Sequence, residues 1–324
     1  MSGGSENRPG GGFGAADLAM LGVITLWAVT NVMAKRSLAE IAPFAFIMAR
    51  FTLAAPVLMA LVFLRQGATV PHRRDWGTFL LAGAAGFSLY NIFYTLGIDQ
   101  TSAFSASLIQ STAPLFTLLL ARALGIERVT PAQWLGVGIA MTGVVIFMSD
   151  KMIERAEAHP FGDLLTLAAA ALFAVYGILN QRLSVTYGSG VTTAWCLAIG
   201  GVLLLPVCLG PALRQDWSAL SPAAWAGVLM AAFGSMVIAY SLWAWAVHRG
   251  GVGRTIPYFF LWPILTGVIS AAVAGERFGP VKVIGAGLVM AGTAAVRIIG
   301  GRLAARDARR QAAATVENGA DPAR

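Results

Sequence analysis

Charge is scarce in this 324-residue chain, with only 12% of residues Asp, Glu, Lys or Arg, about half the share of a soluble globular protein. That poverty excludes a fold whose main solvent is water. The fifteen acidic residues fall in tails, loops or the ends of apolar runs, so no carboxylate is placed near the middle of a bilayer. This argues against a proton/cation antiporter built on an intramembrane acid. Histidine is limited to His72, His159 and His248, in or beside loops and without an HExxH pattern, so no metal is expected. Cys196 and Cys208 share one apolar run and read as small packing residues rather than a disulfide or metal pair. No nucleophile, base or ligand cluster lies inside the apolar runs, so neither an enzyme nor a cofactor is expected.

What the chain has instead is hydrophobic length. Apolar residues make up 57% of it, in stretches of roughly twenty, the span a helix needs to cross a bilayer. Breaks at charged or Gly/Pro-marked turns place ten helices near 16–35, 42–64, 76–98, 102–124, 131–149, 162–183, 190–212, 222–247, 252–274 and 279–300. The expected fold class is an all-α polytopic membrane protein. The Gly/Ser-rich stretch 1–14 reads as a disordered tail, 150–160 as an external loop and 301–324 as a basic cytoplasmic tail.

The net charge of +8 does not point to nucleic acid, because the cations sit between apolar runs and form no stripe on a recognition scaffold. It reads as topology. With the N-terminus in the cytoplasm, fifteen Lys and Arg fall on the inner side and seven outside, leaving Arg50 within a helix; the inverse orientation breaks the positive-inside rule. Ten helices return the C-terminus to the cytoplasm.

The chain repeats itself. A shift of 149 positions lays Pro114 on Pro263, Thr117 on Thr266, Glu127-Arg128 on Glu276-Arg277 and Pro131 on Pro280, and continues through Gly136/Gly285, Gly138/Gly287, Met141/Met290 and Gly143/Gly292. A shift of 146 pairs Asp17-Leu18 with Asp163-Leu164 and Arg36 with Arg182. Residues 15–149 and 161–300 therefore form two five-helix repeats. An odd number of helices forces the second to enter the membrane from the opposite side, an inversion typical of secondary transporters, whose substrate sits near the midplane between the halves.

The stretch from Tyr90 to Val145, YNIFYTLGIDQTSAFSASLIQSTAPLFTLLLARALGIERVTPAQWLGVGIAMTGVVI, and its second copy resemble the EamA-type branch of the drug/metabolite transporter superfamily, most specifically in the GER…P…GxGxxxxG element at Glu127 and Glu276. The resemblance covers about residues 15–300. It implies a ten-helix carrier in a bacterial inner membrane that often exports amino acids or related metabolites. The run Pro257-Tyr258-Phe259-Phe260-Leu261-Trp262 is bulkier than the family pattern.

Candidate substrate-binding residues follow from polarity at membrane depth. Arg50 is the one charge well inside an expected helix; it reads either as a receptor for a substrate carboxylate or as a cation bonded to helix-end carbonyls or snorkelling. At the 149 shift Asn91 falls on Tyr240 and Tyr94 on Trp243, each pair three residues apart on one helix face. Tyr90, Gln110, Tyr258 and Trp262 would complete a polar and aromatic cavity with Trp27, Asn31, Tyr176 and Asn180. Asn31, Asn91, Gln110 and Asn180 are expected to face the bundle, because an unpaired amide in hydrocarbon costs several kcal/mol. The aromatics fit either the cavity or an interfacial belt. Gly136, Gly138, Ala140, Thr142, Gly285, Gly287 and Ala291 are expected to make helix-packing faces, and Pro114 and Pro263 read as hinges or static kinks.

The expected function is alternating-access transport of a small amphipathic metabolite, an amino acid among the options, with export implied by the resemblance. The alternatives are a multidrug exporter of neutral or anionic compounds and, from another class, a membrane scaffold or intramembrane enzyme. The expected partners are the small-molecule substrate and the lipid bilayer; a monomer suffices for a pathway between the halves, and nothing excludes a dimer.

Overall fold

The structure is a computed structural model that describes residues 14–125, 129–154, 160–250, 256–275 and 278–319. The Glu127-Arg128 and Glu276-Arg277 pairs, most of the N-terminal tail and part of the 150–160 segment lie outside the described residues. Among those described, the chain is helical throughout: α1 (Ala15–Ser37), α2 (Pro43–Gln66), α3 (Arg73–Gln100), α4 (Ala103–Ala123), α5 (Pro131–Glu154), α6 (Pro160–Tyr187), α7 (Ser189–Arg214), α8 (Pro222–Leu229, Met230–Ala239 and Tyr240–Gly250 in continuation), α9 (Ile256–Phe260 and Leu261–Ala274) and α10 (Pro280–Gly319). Seven of these are long and apolar enough to cross a membrane, and the apolar parts of α5, α9 and α10 add three shorter ones.

Local chemistry sets the ends. Pro43, Pro131, Pro160, Pro222 and Pro280 open their helices, where a missing N–H costs nothing. Ser102 and Ser221 cap α4 and α8 by accepting from the N–H groups of Ser105 and Ala224, each at 3.1 Å. Two ends differ from expectation. Helix α5 runs to Glu154, through the first positions of the expected loop, and α10 continues to Gly319 rather than stopping near 300. The sequence after Gly301, rich in Ala and Arg, has high helix propensity that one glycine pair does not override.

The packing has a twofold plan. Helix α2 lies along α7 and α5 along α10; α1 crosses α8 and α9, while α6 crosses α3 and α4. Exchanging each helix for its counterpart five places on maps this set of contacts onto itself, as two inverted five-helix repeats require. The α5–α10 pair is held by glycine. A Cβ on Gly143 would stand 2.5 Å from the Val289 nitrogen and one on Gly292 2.4 Å from the Ala140 nitrogen, so these backbones touch. Gly138 and Gly287 face open space, and Thr142 and Ala291 are exposed. The packing face is therefore Gly136, Ala140 and Gly143 of α5 against Gly285 and Gly292 of α10; Gly136, Ala140 and Gly285 are among the small residues expected there, and Gly143 and Gly292 are additions.

Four helices are irregular at membrane depth, and the irregularities match across the repeat in two pairs. Residues Ala84–Leu89 of α3 and Met230–Ala239 of α8 are π-helical, and the 149 shift superimposes them. Helix α4 breaks at Ser111-Thr112 and α9 changes from 3-10 to α between Phe260 and Leu261, again in register at that shift. Pro114 and Pro263 each follow the break by two residues and deprive it of a backbone hydrogen bond. In α4 the Ser111 and Thr112 hydroxyls donate to the Leu108 and Ile109 carbonyls, each at 2.6 Å.

Candidate substrate cavity between the halves

The irregular helices surround a cavity of about 570 Å³. Helix α1 contributes Trp27 and Asn31, α2 Arg50, α3 Tyr90, Asn91 and Tyr94, α4 Gln110 and Pro114, α6 Tyr176 and Asn180, α8 Tyr240 and Trp243, and α9 Trp262. Every candidate binding residue except Tyr258 thus borders one space. Tyr258 packs instead against the cluster of Ile24, Ala28 and Trp262, and Pro263 is buried in α9 away from the cavity wall. The sequence reading missed Thr95, Phe173, Ser184, Ser235 and Phe259, which also line it.

The wall is aromatic. Trp27 contacts Tyr240, Phe259 and Trp262 with ring centroids 5.6–5.8 Å apart, and Tyr90 stacks on Tyr94 at 5.5 Å. Polar atoms are set into it at intervals. Tyr94 donates its hydroxyl proton to Asn31 Oδ1 at 3.0 Å. Among the described residues, Asn31 Nδ2, Gln110 Oε1, Trp262 Nε1 and Arg50 Nε are buried without a hydrogen-bond partner, three donors and one acceptor left unpaired on side chains that line the cavity.

Arg50 is the cavity's one formal charge among the described lining residues; no Asp or Glu lines it. Its guanidinium donates to Asn91 Oδ1 and, at 3.3 Å, to Thr95 Oγ1. The rings of Phe46 and Phe51 flank it at 5.5 and 5.9 Å, within cation–π range. The side chain is 8% exposed. It neither snorkels nor bonds to helix-end carbonyls.

Among the described residues, the exposed part of the cavity lining lies at one rim. Its exposed lining residues, Gln181 and Val185, sit at the end of α6 beside the start of α7. The opposite rim is tied shut: Lys35 Nζ donates to the Asp99 carbonyl, Arg36 to the Val273 carbonyl and Thr101 Oγ1 to Asp163 Oδ1. Clamps on the connecting loops occur at both rims. At the open one, Tyr187 accepts from the His72 N–H at 2.9 Å and donates to Asp75 at 2.6 Å. At the tied one, Ser221 donates its hydroxyl and its N–H to the Glu40 carboxylate at 2.6 and 2.8 Å, which holds Glu40 below the usual carboxylate range.

Known proteins of the same construction exist. A crystal structure aligns with a TM-score of 0.62 over 89% of this chain and 98% of the other at 22% identity, which establishes the shared fold. An uncharacterised transporter of Archaeoglobus fulgidus is 28% identical over 268 residues, 82% of this chain and 92% of that one. An uncharacterised transporter of Bacillus subtilis is 28% identical over 278 residues, 85% and 91% of the two chains. A probable terminal-alkyne amino-acid exporter of Streptantibioticus cattleyicolor is 28% identical over 245 residues, 76% and 80% of the two. The profile of one family matches residues 14–149 and, a second time, 160–298. With that double match spanning both halves, the chain belongs to the EamA-like transporter family and is a multi-pass membrane transporter.

Proposed function

We propose that the protein exports a small amphipathic metabolite bearing a carboxylate, an amino acid being the class that fits best, by alternating access between its two halves. The observation that carries this reading is Arg50, a buried cation with no carboxylate among the described residues that line its aromatic cavity. A cation taken out of water is costly until an opposite charge joins it, and a substrate carboxylate supplies that charge. The aromatic faces accept an apolar side chain, and Gln110 Oε1 offers an acceptor to an amino group. The relative from Streptantibioticus, named for amino-acid export, supports the same class.

In the proposed orientation both termini are cytoplasmic, so the open rim faces the cytoplasm and the tied rim the outside. Pro114 and Pro263, at matching helix breaks, serve as the hinges about which access is exchanged. A second reading, export of larger neutral or anionic compounds, is favoured by the cavity volume, which falls in the range of drug-sized sites, ~300–1,000 Å³.

Uptake and counterflow of a labelled amino-acid panel in proteoliposomes test the proposal. The expected result is saturable movement of at least one member, reduced tenfold or more by Arg50→Gln. Failure of the whole panel, or transport indifferent to Arg50→Gln, would overturn it.

A further inference from the structure

The guanidinium of Arg50 is held by a residue that does not neutralise it. Asn91 Oδ1 accepts from Arg50, and Asn91 Nδ2 donates to the Phe87 carbonyl at 2.6 Å. Phe87 lies in the π-helical stretch of α3, where wider turns redirect carbonyls that an α-helix would keep within its own ladder. Both ends of the amide are therefore committed. Rotating it would turn an NH₂ against the guanidinium and an oxygen against a carbonyl. Thr95 adds a second uncharged acceptor one turn further along, and the rings of Phe46 and Phe51 close the flanks. Each of these partners of Arg50 is neutral.

The arrangement occurs once. The repeat counterpart of Asn91 is Tyr240 and that of Arg50 is Cys196, so the second half carries neither the cation nor the amide. The charge state of the whole cavity hangs on one side-chain pair.

We propose that Asn91 is a positioning residue that sets the charge class of the substrate: anchored on the Phe87 carbonyl, its uncharged amide aims the Arg50 guanidinium at the cavity while leaving its charge to be matched by a carboxylate on the solute. The inference rests on the carboxylate reading given above and adds what enforces it. An Asp at position 91 keeps the shape and the contact to Arg50 but completes an ion pair inside the wall, so the site no longer asks for an anion.

Three probes with a common phenyl ring test this: phenylacetate, L-phenylalanine and phenethylamine, which differ in charge. Binding to the purified full-length protein is followed by quenching of tryptophan fluorescence, since Trp27, Trp243 and Trp262 line the cavity. The parent is expected to bind the two carboxylates at least tenfold more tightly than the amine. Asn91→Asp should weaken both carboxylates tenfold or more and strengthen the amine. Thr95→Asp, which places the same charge by Arg50 without disturbing the Phe87 contact, should reproduce that reversal and serves if Asn91→Asp does not fold. A purely structural role for Asn91 would weaken all three probes together and overturns the inference. An unchanged order in both variants overturns it as well. If Arg50→Gln abolishes the carboxylate preference while both Asp variants keep it, this inference fails and the carboxylate reading stands. If the parent binds none of the probes, or Arg50→Gln keeps the preference, both fail.

Discussion

The two rims of the bundle are built from the same repeated elements yet differ in how they meet. Each has a clamp that fixes a connecting loop, Tyr187 to Asp75 at one and Ser221 to Glu40 at the other. Among the described residues the second rim adds Thr101 of the α3–α4 connection to Asp163 of α6, and Arg36 of α1 to the Val273 carbonyl of α9. At the open rim the counterpart of Arg36, Arg182, is exposed as Arg36 is, but makes no such bond among the described residues. The difference lies partly in small residues. Gly97 and Gly162 let α3 and α6 close on each other, since a Cβ would stand 2.5 Å from Thr166 Oγ1 at the first and 2.8 Å from the Gln100 backbone at the second. The equivalent positions at the α1–α8 crossing are Ala246 and Ala16, which carry the methyl groups that the tied rim omits. Clamps are thus common to both rims, and the added bonds of Arg36 and Thr101 distinguish the closed one.

The most disruptive way to break this asymmetry is Gly97→Leu. Overpacking of this kind costs about 1–3 kcal/mol and falls only on the state with the tied rim closed. Transport in proteoliposomes should drop more than tenfold, and a cysteine replacing the buried Ile98 should gain labelling by an impermeant maleimide. Thr101→Val comes next. It removes one bond to Asp163, worth about 1 kcal/mol, and should raise the same labelling severalfold while melting in detergent changes little. A smaller effect separates Arg36 from its counterpart: Arg36→Ala should raise labelling about twofold, whereas Arg182→Ala, an exposed change expected to stay within ~0.5 kcal/mol, should leave it unaltered. The smallest effect concerns pH. Because the folded protein holds Glu40 below its ordinary value, its clamp contributes fully at neutral pH and is lost only as pH falls through that lowered value. Spin labels on the α1–α2 and α7–α8 connections should accordingly show constant mobility down to the ordinary carboxylate range and loosening only on further acidification.

Much of this was legible in the sequence because hydrocarbon penalises exceptions. Helix number and pairing follow from apolar length and from identities at fixed shifts, and Asn31, Asn91, Gln110 and Asn180 all reach the cavity because unpaired amides have no other place at that depth. Hydroxyls escape this logic. Thr30 and Thr117 border the cavity, yet both satisfy themselves on the carbonyl four residues back, so a serine or threonine in an apolar run does not reveal its face. Aromatic rings are equally silent, which is why Tyr258 reads as a cavity residue like Trp262 although it packs against the Trp262 cluster without lining the cavity. The π-helical stretches carry no residue signature of their own; AAGFSL reads as ordinary helix, and only the packing of α3 on α6 and α7 reveals it.

The solitary guanidinium of Arg50 also has an electrical side. In the proposed alternating-access cycle, a cavity holding a monoanion would change its exposure as a neutral unit, whereas the unloaded cavity would carry one positive charge. A transmembrane voltage, worth at most about 2.3 kcal/mol per elementary charge per 100 mV, then acts on the unloaded return and not on the loaded stroke. A cell interior at negative potential would draw the vacant carrier back toward the cytoplasmic side and so bias the cycle outward, with no titrating carboxylate in the pathway.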